Sequence, residues 1–209
     1  MICEPVDLVL SEIVCEPGDL LRHVYFPTYG FISLTTSVDE HPSLEVGMIG
    51  REGMLGIQLA LGFLSTPVRG LVQGAGLAWR IESRKFRNEL AENTSLQRVL
   101  NRYLYVMMSQ NTRSAGCMRF HVIEARLARW LLMSQDCSHC DSFYVTHEFL
   151  GFMLGVRRVG ITLAAGVLQR SGLIEYSRGR LTVLDRNGLE EAACSCYAGD
   201  RTTYAECMH

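Results

Sequence analysis

Two adjacent arginines, Arg157 and Arg158, open a stretch that continues Val-Gly-Ile-Thr-Leu-Ala-Ala-Gly-Val-Leu-Gln-Arg, and two more, Arg178 and Arg180, flank a glycine further on. A guanidinium offers a planar fork of donors that matches a phosphate or the O6/N7 edge of guanine. Arg158 is the candidate base reader. Val159 can touch a thymine methyl but cannot accept a hydrogen bond from cytosine N4, and Thr162, one helical turn after Arg158, can face base or phosphate. Arg157, Arg178 and Arg180 suit backbone phosphates, which position a protein without reading sequence. Between Thr146 and Leu184 five arginines stand against Glu148 and Glu175, although the 209-residue chain has a net charge of −2 and Lys85 as its only lysine. The expected partner is double-stranded DNA.

Those side chains need a scaffold, and the sequence around them supplies one. Thr146 can cap a first helix whose Phe149, Leu150, Met153 and Leu154 turn inward. Gly151 is small where two helices cross, Gly155 makes the tight turn, and Val156 fills the space beneath it. Ile161, Ala164, Ala165 and Leu168 return to the core from a second helix. A generic helical hairpin shares this pattern. The next fourteen residues are more specific: Ser171-Gly172 ends the helix, Leu173 to Tyr176 alternates as a strand, Ser177-Arg178-Gly179-Arg180 is a basic hairpin turn, and Leu181 to Leu184 returns. Helix, turn, helix and basic two-stranded wing form a DNA-binding module.

Other chemistries find less support. Eight cysteines (3, 15, 117, 137, 140, 194, 196 and 207) include Cys137-Ser138-His139-Cys140 and Cys194-Ser195-Cys196, either of which could give zinc ligands. A structural zinc needs four, and no clean second CxxC pair appears. The expectation is reduced, partly buried thiols and no metal. The six histidines show no HExxH spacing, and no phosphate loop or nucleophile elbow is present. No catalytic residue, enzyme activity or cofactor is expected. No apolar run approaches the roughly 20 residues of a membrane span, and the opening residues lack a secretory signal. A cytoplasmic protein without membrane contact is the expectation.

Upstream, the first ninety residues read as short strands broken by turns: Leu8–Leu10, Glu16-Pro17-Gly18-Asp19, Val24–Phe26, a Pro27–Gly30 turn, Phe31–Val38, Leu44–Ile49 and Leu71–Ile81. Many strands with glycine turns favour a barrel or sandwich. From about Ser95 to Met118 the chain is helical, and Leu96, Leu100, Tyr103, Met107, Gln110, Ser114 and Cys117 fall at alternating spacings of four and three. That spacing suits a seam against a second copy, the reading preferred here, or one amphipathic helix on its own barrel. A further helix spans about Val122 to Ser134, followed by a polar loop from Asp136 to Ser142. The expected fold class is α+β: a β-jelly-roll over 1–94, a dimerisation helix over 95–119 and a winged helix-turn-helix over 120–209.

In this order of parts the chain resembles the Crp–Fnr transcription regulators over nearly its whole length. The resemblance is carried by Glu16-Pro17-Gly18-Asp19, Ile49-Gly50-Arg51-Glu52-Gly53-Met54-Leu55-Gly56, Glu124 to Leu132, and Leu150 to Ile174. It implies a cyclic-nucleotide-binding-like sensory barrel, a homodimer, and RNA polymerase as a further partner. The family's helical lead before the barrel is largely missing. Members that bind cyclic AMP carry a glutamate for the ribose and an Arg-Ser pair for the phosphate. Here Met54 stands at the glutamate position and only Arg69-Gly70 is a candidate for the pair, so cyclic AMP is not expected. Glu52 and Arg69 are the candidate effector-binding residues for an unidentified small molecule. Cys3 and Cys15 are too few to hold an iron–sulfur cluster. Arg157-Arg158-Val159 replaces the family's frequent Ser-Arg-Glu, which predicts a different half-site. The resulting function is a sequence-specific, homodimeric DNA-binding regulator. The alternatives are a cysteine-based redox regulator, or a winged-helix module that does not bind DNA sequence-specifically.

Overall fold

The computed structural model describes residues 2–39 and 43–208. The N-terminal part is a five-stranded antiparallel sheet of β1 (Cys3–Leu8), β2 (Ile13–Cys15), β3 (His23–Thr36), β4 (Leu44–Ile49) and β5 (Arg69–Glu82), in the order β1-β5-β3-β4 with β2 also on β5. The long pair β3 and β5 runs from His23 opposite Glu82 to Thr35 opposite Arg69. Its register shifts between Pro27 and Tyr29, between Tyr29 and Phe31, and between Phe31 and Ile32. The Pro-to-Gly step expected to be a turn is therefore a bulged bend inside one strand. Pro27 itself stays in register with Ala78, and the residue left outside the ladder is Thr28. Val24, Ile32, Ile49, Met54, Leu59 and Val72 fill the interior of this barrel-like domain.

Helix α1 (Ser83–Glu92) leads into α2 (Thr94–Phe120), whose start is capped by the Asn93 side chain accepting from Leu96 N–H. The stripe read as an inter-subunit seam turns inward. Leu100 and Tyr103 are each 5% exposed within the barrel core, Leu96 and Met107 pack beside them, and Ser114 accepts a hydrogen bond from Arg129. A four-three spacing records that a helix face is covered, not what covers it. The opposite face carries the exposed Tyr105, Met108, Thr112 and Ala115.

After α2 come α3 (Ile123–Ser138), β6 (Ser142–Tyr144), α4 (His147–Leu154), α5 (Arg158–Arg170), β7 (Ile174–Ser177), β8 (Arg180–Val183), α6 (Arg186–Ala192) and α7 (Cys196–Met208). The wing is three-stranded, because β6 pairs with β8 at the end of the segment expected to be loop. Helix α7 packs back along α2. The second core, built on Leu127, Leu131, Leu150, Ile161, Leu168 and Leu181, also takes in Phe31 and Met48 of the barrel. Among the described residues no single helix is long and apolar enough to cross a membrane, and the bent α4–α5 pair buries its apolar face in this core.

Candidate nucleic-acid interface

The recognition unit is built from α4 and α5, whose axes meet at 106°, within the range of helix-turn-helix pairs. Thr146 Oγ1 accepts from Phe149 N–H at 3.1 Å and fixes the start of α4. Leu150, Met153 and Leu154 are buried, and Arg126 from α3 donates to the Leu154 carbonyl at the helix end. Gly155 sits at φ 63°, the left-handed region that side chains avoid. A Cβ at Gly151 would stand 2.9 Å from the Val156 carbonyl oxygen, so only glycine permits this close crossing.

Helix α5 buries Ile161, Ala164, Ala165 and Leu168, which leaves Arg158, Val159, Thr162 and Leu163 exposed on the other side. Val159 is 62% and Leu163 65% exposed. Arg157 immediately precedes the helix and is exposed beside the turn. Neither Arg157 nor Arg158 forms an ion pair among the described residues. Four of the sequence-derived candidates thus share one exposed end of α5, the two arginines outside any ion pair among the described residues. Leu163 was missed by sequence reasoning, and its exposure on an otherwise amphipathic helix is the signal that could have found it.

His147 is a second missed residue. Its Nδ1 lies 3.0 Å from Thr162 Oγ1, and its ring stacks on Tyr176 with centroids 4.3 Å apart. Thr162 Oγ1 donates to the Arg158 carbonyl, so the threonine oxygen is the natural acceptor for the histidine N–H. Tyr176 in turn donates from its hydroxyl to the Val145 carbonyl and from its backbone N–H to Gln169 Oε1. This chain of contacts locks α4, α5 and the wing together. Burial, and then the Arg158 guanidinium, lower the His147 pKa, which favours the neutral imidazole.

At the wing tip the exposed Arg178 and Arg180 flank Gly179 in the chain, and Val145 N–H donates to the Gly179 carbonyl at 2.8 Å. The barrel also reaches the recognition unit. A groove of about 680 Å³ lies between Thr36, Val38 and Leu44 on one side and Glu148, Gly155, Arg157 and Arg158 on the other. Trp130 of α3 donates to Glu45 Oε1 at 2.9 Å across the same boundary.

The two candidate effector residues are not brought together. Arg69 pairs with Glu16 at 2.8 Å, so its guanidinium is already engaged by a carboxylate. Glu52 accepts from Gly50 N–H and lines a separate cleft of about 670 Å³ between barrel, α3 and α7, with Arg51, Gln110, Tyr197 and Arg201. Met54, at the position where a ribose-binding carboxylate would stand, is 1% exposed in the barrel core. That thioether packs among the barrel's apolar core residues.

Residues 125–192 match the Crp-like helix-turn-helix domain. Among curated protein sequences none matches this chain. A CRP-family transcriptional regulator from Thermus thermophilus superposes with a TM-score of 0.70 at 18% identity, covering 90% of this chain and 96% of its own. A CRP/FNR-family regulator from the same organism gives 0.67 at 19%, covering 91% and 98%. FixK2 from Bradyrhizobium japonicum gives 0.69 at 11%, covering 93% and 98%. Identities this low carry the fold, and the domain match carries the helix-turn-helix.

Proposed function

We propose that this chain, which carries a Crp-like helix-turn-helix domain on the fold of the Crp–Fnr transcription regulators, is a regulator of that type and reads a specific duplex sequence as a homodimer. The observation that carries this is the outward end of α5, where Arg158, Val159 and Thr162 are exposed on a helix whose other face is spent in the core. Arg158 reads a guanine, Val159 lies against a thymine methyl, and Arg157, Arg178 and Arg180 hold phosphates. Two copies present their α5 helices about one DNA turn apart, ~34 Å. They pair through the exposed face of α2 with Tyr105 and Met108, since the inward stripe is taken by the barrel. DNA places the site of action in the cytoplasm.

The barrel is the regulatory part. β4 packs on α4, and Leu44 lies against Gly155 at the turn of the recognition unit. A molecule taken up in the cleft beside Glu52 shifts the barrel against the winged helix and biases the DNA-competent arrangement. Selection of random duplexes by the full-length protein, run beside Arg158→Ala, tests the reading. An inverted repeat enriched by the wild type, with one base preference lost in the variant, is expected. Equal retention of single-stranded RNA and duplex, with no enriched sequence in protein or cell extract, would overturn it.

A further inference from the structure

Four side chains that the sequence scatters meet at the joint between α2 and α3. Cys117 and His121 are one helical turn apart at the end of α2, and Cys194 and Cys196 flank one serine in the link from α6 into α7. One ligand atom from each lies within 4.8 Å of all the others. Cys117 Sγ stands 3.5 Å from Cys194 Sγ, and Cys196 Sγ stands 3.5 Å from His121 Nδ1. A tetrahedral zinc, with bonds of about 2.3 Å to sulfur and ~2.0 Å to nitrogen, spaces its ligand atoms roughly 3.5–3.8 Å apart. The three sulfurs are buried and the imidazole is half-buried.

We propose that Cys117, His121, Cys194 and Cys196 form a Cys3His site for one zinc ion. Four protein ligands close the coordination sphere, which is the structural and not the catalytic form of such a site. The tight spacing selects a single ion, and the thiolate-rich set favours zinc over hard cations. Three thiolates around a divalent ion leave one negative charge, and the surroundings offer its counterpart. Arg129 of α3 is 8% exposed and lies beside Cys117, and its Nε is buried with no hydrogen-bond partner among the described residues. The other end of that guanidinium is held by Asp200 of α7 at 2.7 Å. The ion ties the end of the long helix, its joint with α3 and the start of α7 into one unit, reinforced by Cys194 N–H donating to the Ala125 carbonyl. Neither pair in the sequence has the usual CxxC form, so a search for paired CxxC motifs passes over the site.

Metal content is read without DNA, so the result is independent of the DNA-binding reading. The full-length protein, untagged and reduced, is expected to carry one zinc per chain. Cobalt substitution is expected to give thiolate-to-cobalt charge-transfer absorption. Cys196→Ser should lose most of the zinc and that absorption, whereas Cys140→Ser, outside the cluster, should keep both. Where Cys196→Ser fails to fold, stripping zinc from the wild type with a chelator gives the second reading, a fall in Tm reversed by zinc alone. Reduced wild type that takes up no zinc on reconstitution, or zinc fully retained by a folded Cys196→Ser, overturns the proposal.

Discussion

Arg178 holds φ at 49° and Gly179 at 82°, so the two-residue wing hairpin has both central residues in the left-handed region. That is the type I′ geometry, for which asparagine followed by glycine is the favoured pair. An arginine there costs about 1 kcal/mol of backbone strain. The position thus gives up stability to keep a guanidinium at the exposed tip. Arg178→Asn is expected to raise Tm by roughly 2–4 °C, the shift about 1 kcal/mol produces in a chain of this size. It should also weaken duplex binding equally for all sequences and lower the salt dependence by about one counterion. Thermal melts and salt-titrated binding check the two halves, and unchanged binding would remove Arg178 from the interface. Arg158→Ala should behave differently. A lost bidentate guanine contact costs about 1–3 kcal/mol at one base pair and little elsewhere, which binding to single-base operator variants resolves.

At the scale of elements, α2 is where two apolar faces need two explanations. Leu100→Ala opens a cavity in the barrel core and is expected to cost about 2–5 kcal/mol, visible as a lower Tm. Met108, 67% exposed on the opposite face, touches no core. Met108→Glu should leave Tm nearly unchanged and shift the protein from dimer to monomer in light scattering; a dimer that persists would move the interface elsewhere. The sequence could not assign these faces, because periodicity reports burial and is blind to whether the cover belongs to the same chain. Local rules were more legible. The Thr146 cap, the Gly155 turn and the inward Ile161, Ala164, Ala165 and Leu168 all depend on neighbours within a few residues, and the structure places them as read. Strand β6 and the Cys117–Cys194 approach depend on residues far apart, the latter separated by 77 positions, and no local pattern encodes such meetings. Met54 shows the same limit at the effector end. The sequence told that a carboxylate was missing, and only the packing told that the replacement is core.

Across the whole molecule, the barrel and the winged helix meet around Glu45. Its carboxyl accepts from Ser33 Oγ of β3 at 2.5 Å and from Trp130 Nε1 of α3 at 2.9 Å. Burial pushes its pKa from 4.5 to about 8, against the two hydrogen bonds and the Arg129 charge, which favour the ionised form. A carboxyl raised in this way keeps its proton in the folded chain while the unfolded chain has lost it. Between 4.5 and about 8 the native state therefore binds more protons, and this group's contribution to stability falls as pH rises through that window. Below it the contribution is fully present, and above it the loss is complete. Glu45 keeps partial contact with solvent, so the change is expected to be about 2 kcal/mol and not the full value of so large a shift. Glu45→Gln retains an acceptor for Trp130 and has no charge to desolvate. It should melt higher than the wild type at pH 8 and nearly the same at pH 4.5. The chain has two tryptophans, so in a Trp79→Phe background the emission of Trp130 reports the contact directly. That emission should titrate near the Glu45 pKa and lose its pH dependence in Glu45→Gln. A wild-type emission flat from pH 5 to 9 would mean that Glu45 does not change charge in that range beside Trp130, and the raised pKa would be overturned.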